Sequence, residues 1–337
     1  MMEEYEILRN TVKEFAAKEI EPVSKDIEIN GIQRSLKEKI AGQGFIGATL
    51  PAEKGGAGLD ENGYMIILEE TAKASPSVSM WIFLTNLYLK LNPDSDKKAN
   101  ILSGSIDVTV DLSPYYLRGK SAALTVTGGK LTGKITNVIN GTASSIIASD
   151  GSSIYAIDSG MHAVSKSHLG LRGMDLSDVD FDSSTYEKVG SEEKLRMELK
   201  NSDGEVAAIF LGIADGTMIK AADYSKVRNA FDRPLKDYTP IFDEIVSAKT
   251  EIDLIRFYLY GNQSEYAKAL CKIKAREIAL TASRSSLQIH GGYGYIHDFG
   301  IEKYYRDAMA MAVYFGEDSW ENSVISQAVL GEKGGII

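Results

Sequence analysis

A chain of 337 residues, 44% of them apolar, can bury a large core and suggests two or three structural regions. Its 47 acidic against 37 basic side chains give a formal net charge of -10, which argues against a general nucleic-acid or membrane-surface binder while leaving room for a local basic clamp on a phosphate. Cys271 is the only cysteine and cannot close an internal disulfide, which points to a reducing compartment; its apolar helical setting reads as core rather than nucleophile. No apolar run approaches the ~20 residues of a membrane span. Met1-Met2-Glu3-Glu4 lacks the basic region and apolar stretch of a secretory signal, so the cytoplasm is the expected location.

Residues 3–107 read mostly as helix. Leu8, Val12, Phe15 and Ala16 recur on one face, and Leu36, Ile40 and Phe45 continue a second apolar pattern. Gly55-Gly56-Ala57-Gly58 marks a loop, Tyr64 to Thr71 a further helix, and Ser75-Pro76 a break before an apolar helix from Val78 to Leu91. Near residue 108 the composition turns to Thr, Ser, Val, Ile and Gly. Gly128-Gly129 and Asp150-Gly151 predict hairpin turns, and Ile154–Ile157 and Val179–Phe181 predict strands. From about Gly204 the helical period returns and runs almost to the end. Helices, then strands, then helices predict an α+β chain with segregated layers, divided at 1–107, 108–200 and 201–337.

Four landmarks in order carry a resemblance. They are Phe15-Ala16-Ala17-Lys18-Glu19-Ile20-Glu21-Pro22, then Gly44-Phe45-Ile46-Gly47 with Pro51 to Asp60, then Gly212-Ile213-Ala214 with Arg228 to Leu235, and last Gln288-Ile289-His290-Gly291-Gly292-Tyr293-Gly294 with Tyr304-Tyr305-Arg306-Asp307-Ala308. Together they resemble the acyl-CoA dehydrogenase family over almost the whole chain. The resemblance implies an N-terminal helical domain, a middle β-barrel or sandwich domain and a C-terminal four-helix bundle. It also implies FAD, bound weakly or only within a complex, and an acyl-CoA thioester from which a carboxylate takes the α-proton while flavin takes the β-hydride.

The family's Tyr-Glu-Gly, which holds its commonest base, stands here as Tyr314-Phe315-Gly316, and a phenyl ring cannot take a proton. In some relatives the base lies early in the last domain, at a place that falls on Ser202. Glu205 and Asp203 near that place, and Glu317 and Asp318 near the other, read either as displaced bases or as solvated helix-end carboxylates. The family's flavin-ring contacts are altered as well. Asp111-Leu112-Ser113-Pro114 stands for Leu-Thr-Glu-Pro, and Asn137-Val138-Ile139-Asn140-Gly141 for Trp-Ile-Thr-Asn-Gly. The residues that in the family hold the FAD pyrophosphate and adenosine are better kept: Arg228, Phe231, Gln288, Gly291 and Gly292 match, with Asp232 in place of a loop glycine. Guanidinium offers paired donors to phosphate, and glycines admit backbone N–H groups to an anion. The alternative for Arg228 is a surface ion pair with Asp223 or Asp232.

Family FAD lies across a subunit interface, and this chain keeps mainly what it would give a neighbour's flavin. The resemblance therefore implies a support subunit, in a heteromer with a catalytic acyl-CoA dehydrogenase subunit. Two readings stand beside it: an active homo-oligomer with a relocated base such as Glu205 or Glu317, and a non-enzymatic scaffold or acyl-CoA-binding protein. His162, His168, His290 and His297 show no metal-ligand spacing, so no metal is expected. Arg172 is expected to fix its loop, Trp81 and Trp320 to pack, and Arg306 with Asp307 to form a buried ion pair.

Overall fold

The computed structural model describes residues 2–113 and 123–331. Its first helices are α1 (Met2–Phe15), α2 (Ser24–Asn30), α3 (Arg34–Gly42), α4 (Glu61–Ala74), α5 (Pro76–Leu91) and α6 (Lys98–Leu102). The Asp60 carboxylate caps α4 by accepting from the N–H of Gly63 at 2.9 Å. Ser75 ends α4, and Pro76, lacking an N–H, opens α5 at the one turn that does not need it. All of α5 except Lys90 is buried, as its predominantly apolar sequence requires.

Eight strands follow: β1 (Val108–Val110), β2 (Ala123–Thr127), β3 (Lys130–Ile139), β4 (Ser145–Ser149), β5 (Ser153–Ile157), β6 (Met161–Lys166), β7 (Leu176–Ser184) and β8 (Tyr186–Ser191). They form two four-stranded sheets, ordered β1-β4-β5-β8 and β2-β3-β7-β6. Leu131, Ile135 and Val179 of one sheet share a core with Ile146, Tyr155 and Ile157 of the other, so the sheets stack face to face. The hairpin predicted at Gly128-Gly129 is present, with φ of 58° and 73°. The second turn is displaced by one residue. Asp150 pairs with Ser153 and closes the turn, leaving Gly151-Ser152 at its centre. Although burial raises the Asp150 carboxyl, bonds from the N–H groups of Ser153 and Ser152, with others, hold it down at about 2.

Helix resumes earlier than Gly204, in α7 (Glu192–Asn201). Only Leu195 and Leu199 of α7 are buried, so its charged sequence gives little apolar period to read. There follow α8 (Asp203–Val227), the short hairpin β9 (Asn229–Ala230) and β10 (Arg233–Pro234), α9 (Thr239–Gly261), α10 (Glu265–His290), α11 (Gly292–Tyr295), α12 (Glu302–Phe315) and α13 (Ser319–Leu330). The α+β class with segregated helical and β layers is as the sequence predicts.

Helix α8 is central. It is buried almost continuously from Asp203 to Met218 and packs chiefly on α10 and α4. Its approach to α4 depends on two glycines four residues apart. A Cβ on Gly212 would stand 2.3 Å from the carbonyl oxygen of Glu69, and one on Gly216 would stand 2.6 Å from that of Lys73. Neither carbonyl can yield without disturbing the α4 backbone. Gly212→Ala is therefore expected to lower unfolding stability by about 1–3 kcal/mol, as overpacking does, despite the better helix propensity of alanine; urea denaturation followed by circular dichroism measures this.

Candidate cofactor site

Tyr314-Phe315-Gly316 closes α12. The same helical face buries Tyr304, Ala308, Met311 and Phe315. Phe315 is 2% exposed and meets Phe83 of α5 edge to face, with centroids 5.8 Å apart and planes at 84°. The place at which the sequence comparison expects a carboxylate is thus filled by one half of an aromatic pair in the core. Burial, with Asp111 nearby, raises the Tyr314 phenol above its ordinary range.

The acidic groups considered as displaced bases are held elsewhere. Asp203 and Glu205 are not solvated helix-end carboxylates: both are buried in ion pairs. Glu205 takes the Lys90 ammonium at 2.6 Å. Lys90 stands two turns along α5 from Phe83, about 10 Å at 1.5 Å per residue. Asp203 shares the buried Lys272 ammonium, 3.1 Å away, with Glu321. Burial raises the Asp203 carboxyl, Lys272 opposes this, and Glu321 adds to it. Ser202 donates to the carbonyl of Glu198 at 2.8 Å. Glu317 accepts from the N–H of Ser319 at 2.9 Å, and Asp318 makes two bonds of 2.6 Å with Arg276.

The positions that correspond to flavin-ring contacts are occupied by internal bonding. Asn137 sits in a bulge of β3 with φ 59°. Its N–H donates to Asp178 at 3.1 Å and its side-chain oxygen accepts from Lys166 at 3.0 Å. Ile139 is buried, and its carbonyl accepts from Thr109 at 2.7 Å. Asp111, wholly buried at the end of the first sheet, accepts from the N–H and hydroxyl of Ser113 at 2.9 and 2.7 Å. Burial pushes its carboxyl up to about 6 against those two bonds. Pro114, Tyr115 and Tyr116 lie outside the described residues.

The other end of the bundle is open. Helices α8 and α10 end side by side: Tyr224 stacks on His290, with centroids 4.4 Å apart. The chain then turns through the β9–β10 hairpin, where Phe231 and Asp232 are the central pair with φ of 47° and 65°. These are the signs of a turn that favours Asn-Gly. Asp232 thus occupies a left-handed position, which explains why a glycine would suit it. Phe231, at the same kind of position, is 92% exposed. Arg228 is exposed and makes no ion pair among the described residues; Asp223 pairs with Lys226 instead. Gln288 and Gly291 line a cleft of about 660 Å³ together with Arg284. Gly291 ends α10 at φ 55°, and open space surrounds the place of a Cβ on either Gly291 or Gly292.

Arg284 escapes the motif reading. It stands one helical turn before Gln288 on the same face, is exposed, and carries no ion pair among the described residues. The four-residue spacing is the signal that would have found it.

Two further expectations need correction. Arg306 and Asp307 do not pair with each other: Arg306 takes Glu28 and Glu302, while Asp307 takes Lys303. Arg172 is exposed and does not fix its loop; the N–H of Leu171 donates to Asp307 at 2.6 Å and that of Gly173 to Ser77 at 3.2 Å. Cys271 is buried as expected, and burial pushes its thiol up to about 12.

Comparison with known proteins gives matches at both ends. The profile of the acyl-CoA dehydrogenase N-terminal domain matches residues 2–94, and that of the C-terminal domain matches residues 195–330. A 3-(aryl)acrylate reductase of Clostridium sporogenes is 26% identical over 97% of this chain and 99% of its own. The CarC subunit of the caffeyl-CoA reductase-Etf complex of Acetobacterium woodii is 25% identical over 97% and 98%. Butyryl-CoA dehydrogenase from Megasphaera elsdenii has the same fold, with a TM-score of 0.81 at 22% identity, covering 97% of this chain and 98% of its own.

Two outcomes follow from the geometry. Phe315→Ala should lower stability by about 3–5 kcal/mol, the cost of truncating a core phenylalanine, measured by urea denaturation. The raised pKa of Asp111 makes its contribution present below the unfolded value near 3.8 and lost as pH rises through about 6. Asp111→Asn should therefore flatten the decline in melting temperature between pH 4.5 and 7.5, which melts across that range will show.

Proposed function

Because this chain belongs to the acyl-CoA dehydrogenase family, we propose that it serves FAD-linked oxidoreduction of acyl-CoA thioesters as a support subunit, holding the pyrophosphate–adenosine end of an FAD whose ring and catalytic glutamate belong to a partner subunit. One contrast carries this reading. The ring side is occupied by Phe315, Asn137 and Ile139, while Arg228 before the β9–β10 hairpin and Arg284 in the cleft carry no ion pair among the described residues.

The residues fit the two ends of FAD differently. Two uncommitted guanidiniums suit a pyrophosphate, since each offers paired donors of fixed geometry. The open backbone at Gly291-Gly292 lets N–H groups approach an anion. The ring side of this chain does not fit an isoalloxazine, and we assign no proton or hydride step to its residues. FAD, where bound, supplies hydride transfer at the carbon pair beside the thioester carbonyl.

Several further observations support an assembly. Phe231 projects from its hairpin as an apolar knob, and Phe242, Val246, Leu254 and Phe257 leave an exposed apolar stripe on α9. The similarity to a subunit of a caffeyl-CoA reductase-Etf complex supports a heteromer. One similar protein is a 3-(aryl)acrylate reductase and another a subunit of a caffeyl-CoA reductase-Etf complex, so the reading includes acyl-CoA reduction as well as dehydrogenation. In this reading residues 1–107, 108–200 and 201–337 are the three domains, and the protein works in the cytoplasm. Among the described residues no helix is long and apolar enough to cross a membrane.

The visible absorption spectrum tests the proposal. The protein purified alone should lack the flavin bands, and its complex with a catalytic family subunit should show them. Arg228→Ala combined with Arg284→Ala should reduce flavin in that complex, losing about 1.5–3 kcal/mol for each charge-assisted bond removed. Arg172→Ala, another exposed unpaired cation, should leave it unchanged. Stoichiometric flavin in the lone protein, or equal flavin in the complex of the double variant, would overturn the assignment.

A further inference from the structure

Three groups from opposite ends of the chain meet where α2 lies beside the start of α12. Glu28 on α2, His297 in the short turn before α12 and Glu302 at its first position each bring a ligand atom within 4.8 Å of the others. Arg306, one turn after Glu302, binds Oε2 of Glu28 at 2.7 Å and Oε2 of Glu302 at 2.8 Å. Each carboxylate is thereby oriented through one oxygen, and the other is left for a second partner. Oε1 of Glu302 stands 2.6 Å from Nδ1 of His297. Oε1 of Glu28 is buried and accepts no hydrogen bond among the described residues, in a residue only 5% exposed. An unsatisfied carboxylate oxygen at such a place is costly, and it belongs to a carboxylate that lies within 4.8 Å of an imidazole nitrogen and a second carboxylate oxygen.

We propose that Glu28, His297 and Glu302 bind one divalent transition-metal ion of the zinc class. One imidazole nitrogen with two carboxylate oxygens is a donor set that zinc accepts, whereas magnesium and calcium favour oxygen alone. Three protein ligands leave a coordination position for water. Arg306 acts as the outer partner that fixes both carboxylates, as hydrogen-bonded ligands of metal sites commonly require. Two carboxylates and one guanidinium leave one negative charge, which the dication reverses. The ion would tie α2 to the segment leading into α12, and it would do so at the edge of the cleft, which Glu302 also lines. This site stands independently of the support-subunit reading.

The test is calorimetric titration of chelator-stripped full-length protein with zinc chloride, with magnesium chloride as the control, alongside thermal melts. The expected result is saturable uptake of one zinc per chain, a raised melting temperature, and no response to magnesium at the same concentration. His297→Ala and Glu28→Gln should each abolish uptake, and Arg306→Lys should weaken it by about tenfold or more. The His297 side chain is 49% exposed, so its variant should keep the metal-free circular dichroism and melting of the wild type and decide the matter even if Glu28→Gln misfolds. Absence of saturable zinc binding, or binding unchanged in His297→Ala, would overturn the site and leave His297 and Glu302 as an ion pair.

Discussion

The close approach of α8 to α4 is the constraint on which the rest of the molecule depends. Glycines at 212 and 216 face carbonyls at 69 and 73, so two four-residue rows meet closely, with the small Ala72 side chain beside Gly212. The seam is fixed in register by charge. Arg256 of α9 binds Glu69 and Asp215, each at 2.7 Å, while Lys73 lies 3.1 Å from Asp215 and Arg9 of α1 lies 3.2 Å from Glu69. Burial alone would raise both carboxyls, but Arg256, Lys73 and Arg9 hold Glu69 down at about 2, and Lys73 with Arg256 keeps Asp215 well below its ordinary range. Such a network contributes less to stability than its bond count suggests, because desolvation offsets the attraction. What it specifies is which turn of α8 meets which turn of α4.

Once α8 is placed, its two ends take opposite characters. The N-terminal end is closed in ion pairs, Glu205 with Lys90 and Asp203 with Lys272 and Glu321. Carboxylates committed in this way are poor candidates for taking a proton from a substrate, because each would first have to leave a buried cation unpaired. The C-terminal end leads into the hairpin, and Arg228 there and Arg284 in the cleft make no ion pair among the described residues. The functional asymmetry proposed for this chain follows from that polarity of one helix.

Phe315 extends the same logic to α12. Replacing an acid by a ring removes a buried charge and adds an aromatic contact with Phe83. The exchange favours packing over chemistry, as the bonds that retain Asn137 inside the β layer also do. Phe315 and Ile139 are part of the core, and Asn137 is half-buried.

The sequence by itself determined the order of layers, because apolar period and turn residues act over a few residues. The predominantly apolar sequence of α5, the Gly128-Gly129 hairpin and the change of composition near residue 108 are all local signals. It also determined that Phe315 cannot act as a base, which depends on the side chain alone. Short range explains its errors too: α7 has too few apolar residues to show a period, and the partners of Arg306 were sought at its neighbour Asp307 when they lie on α2 and one turn earlier on α12. Tertiary structure was needed to decide that Asp203 and Glu205 are buried, that Arg228 and Arg284 make no ion pair among the described residues, and that Glu28 meets His297 and Glu302. Charge pairing and burial depend on which distant surfaces come together, and no periodicity within a segment records that.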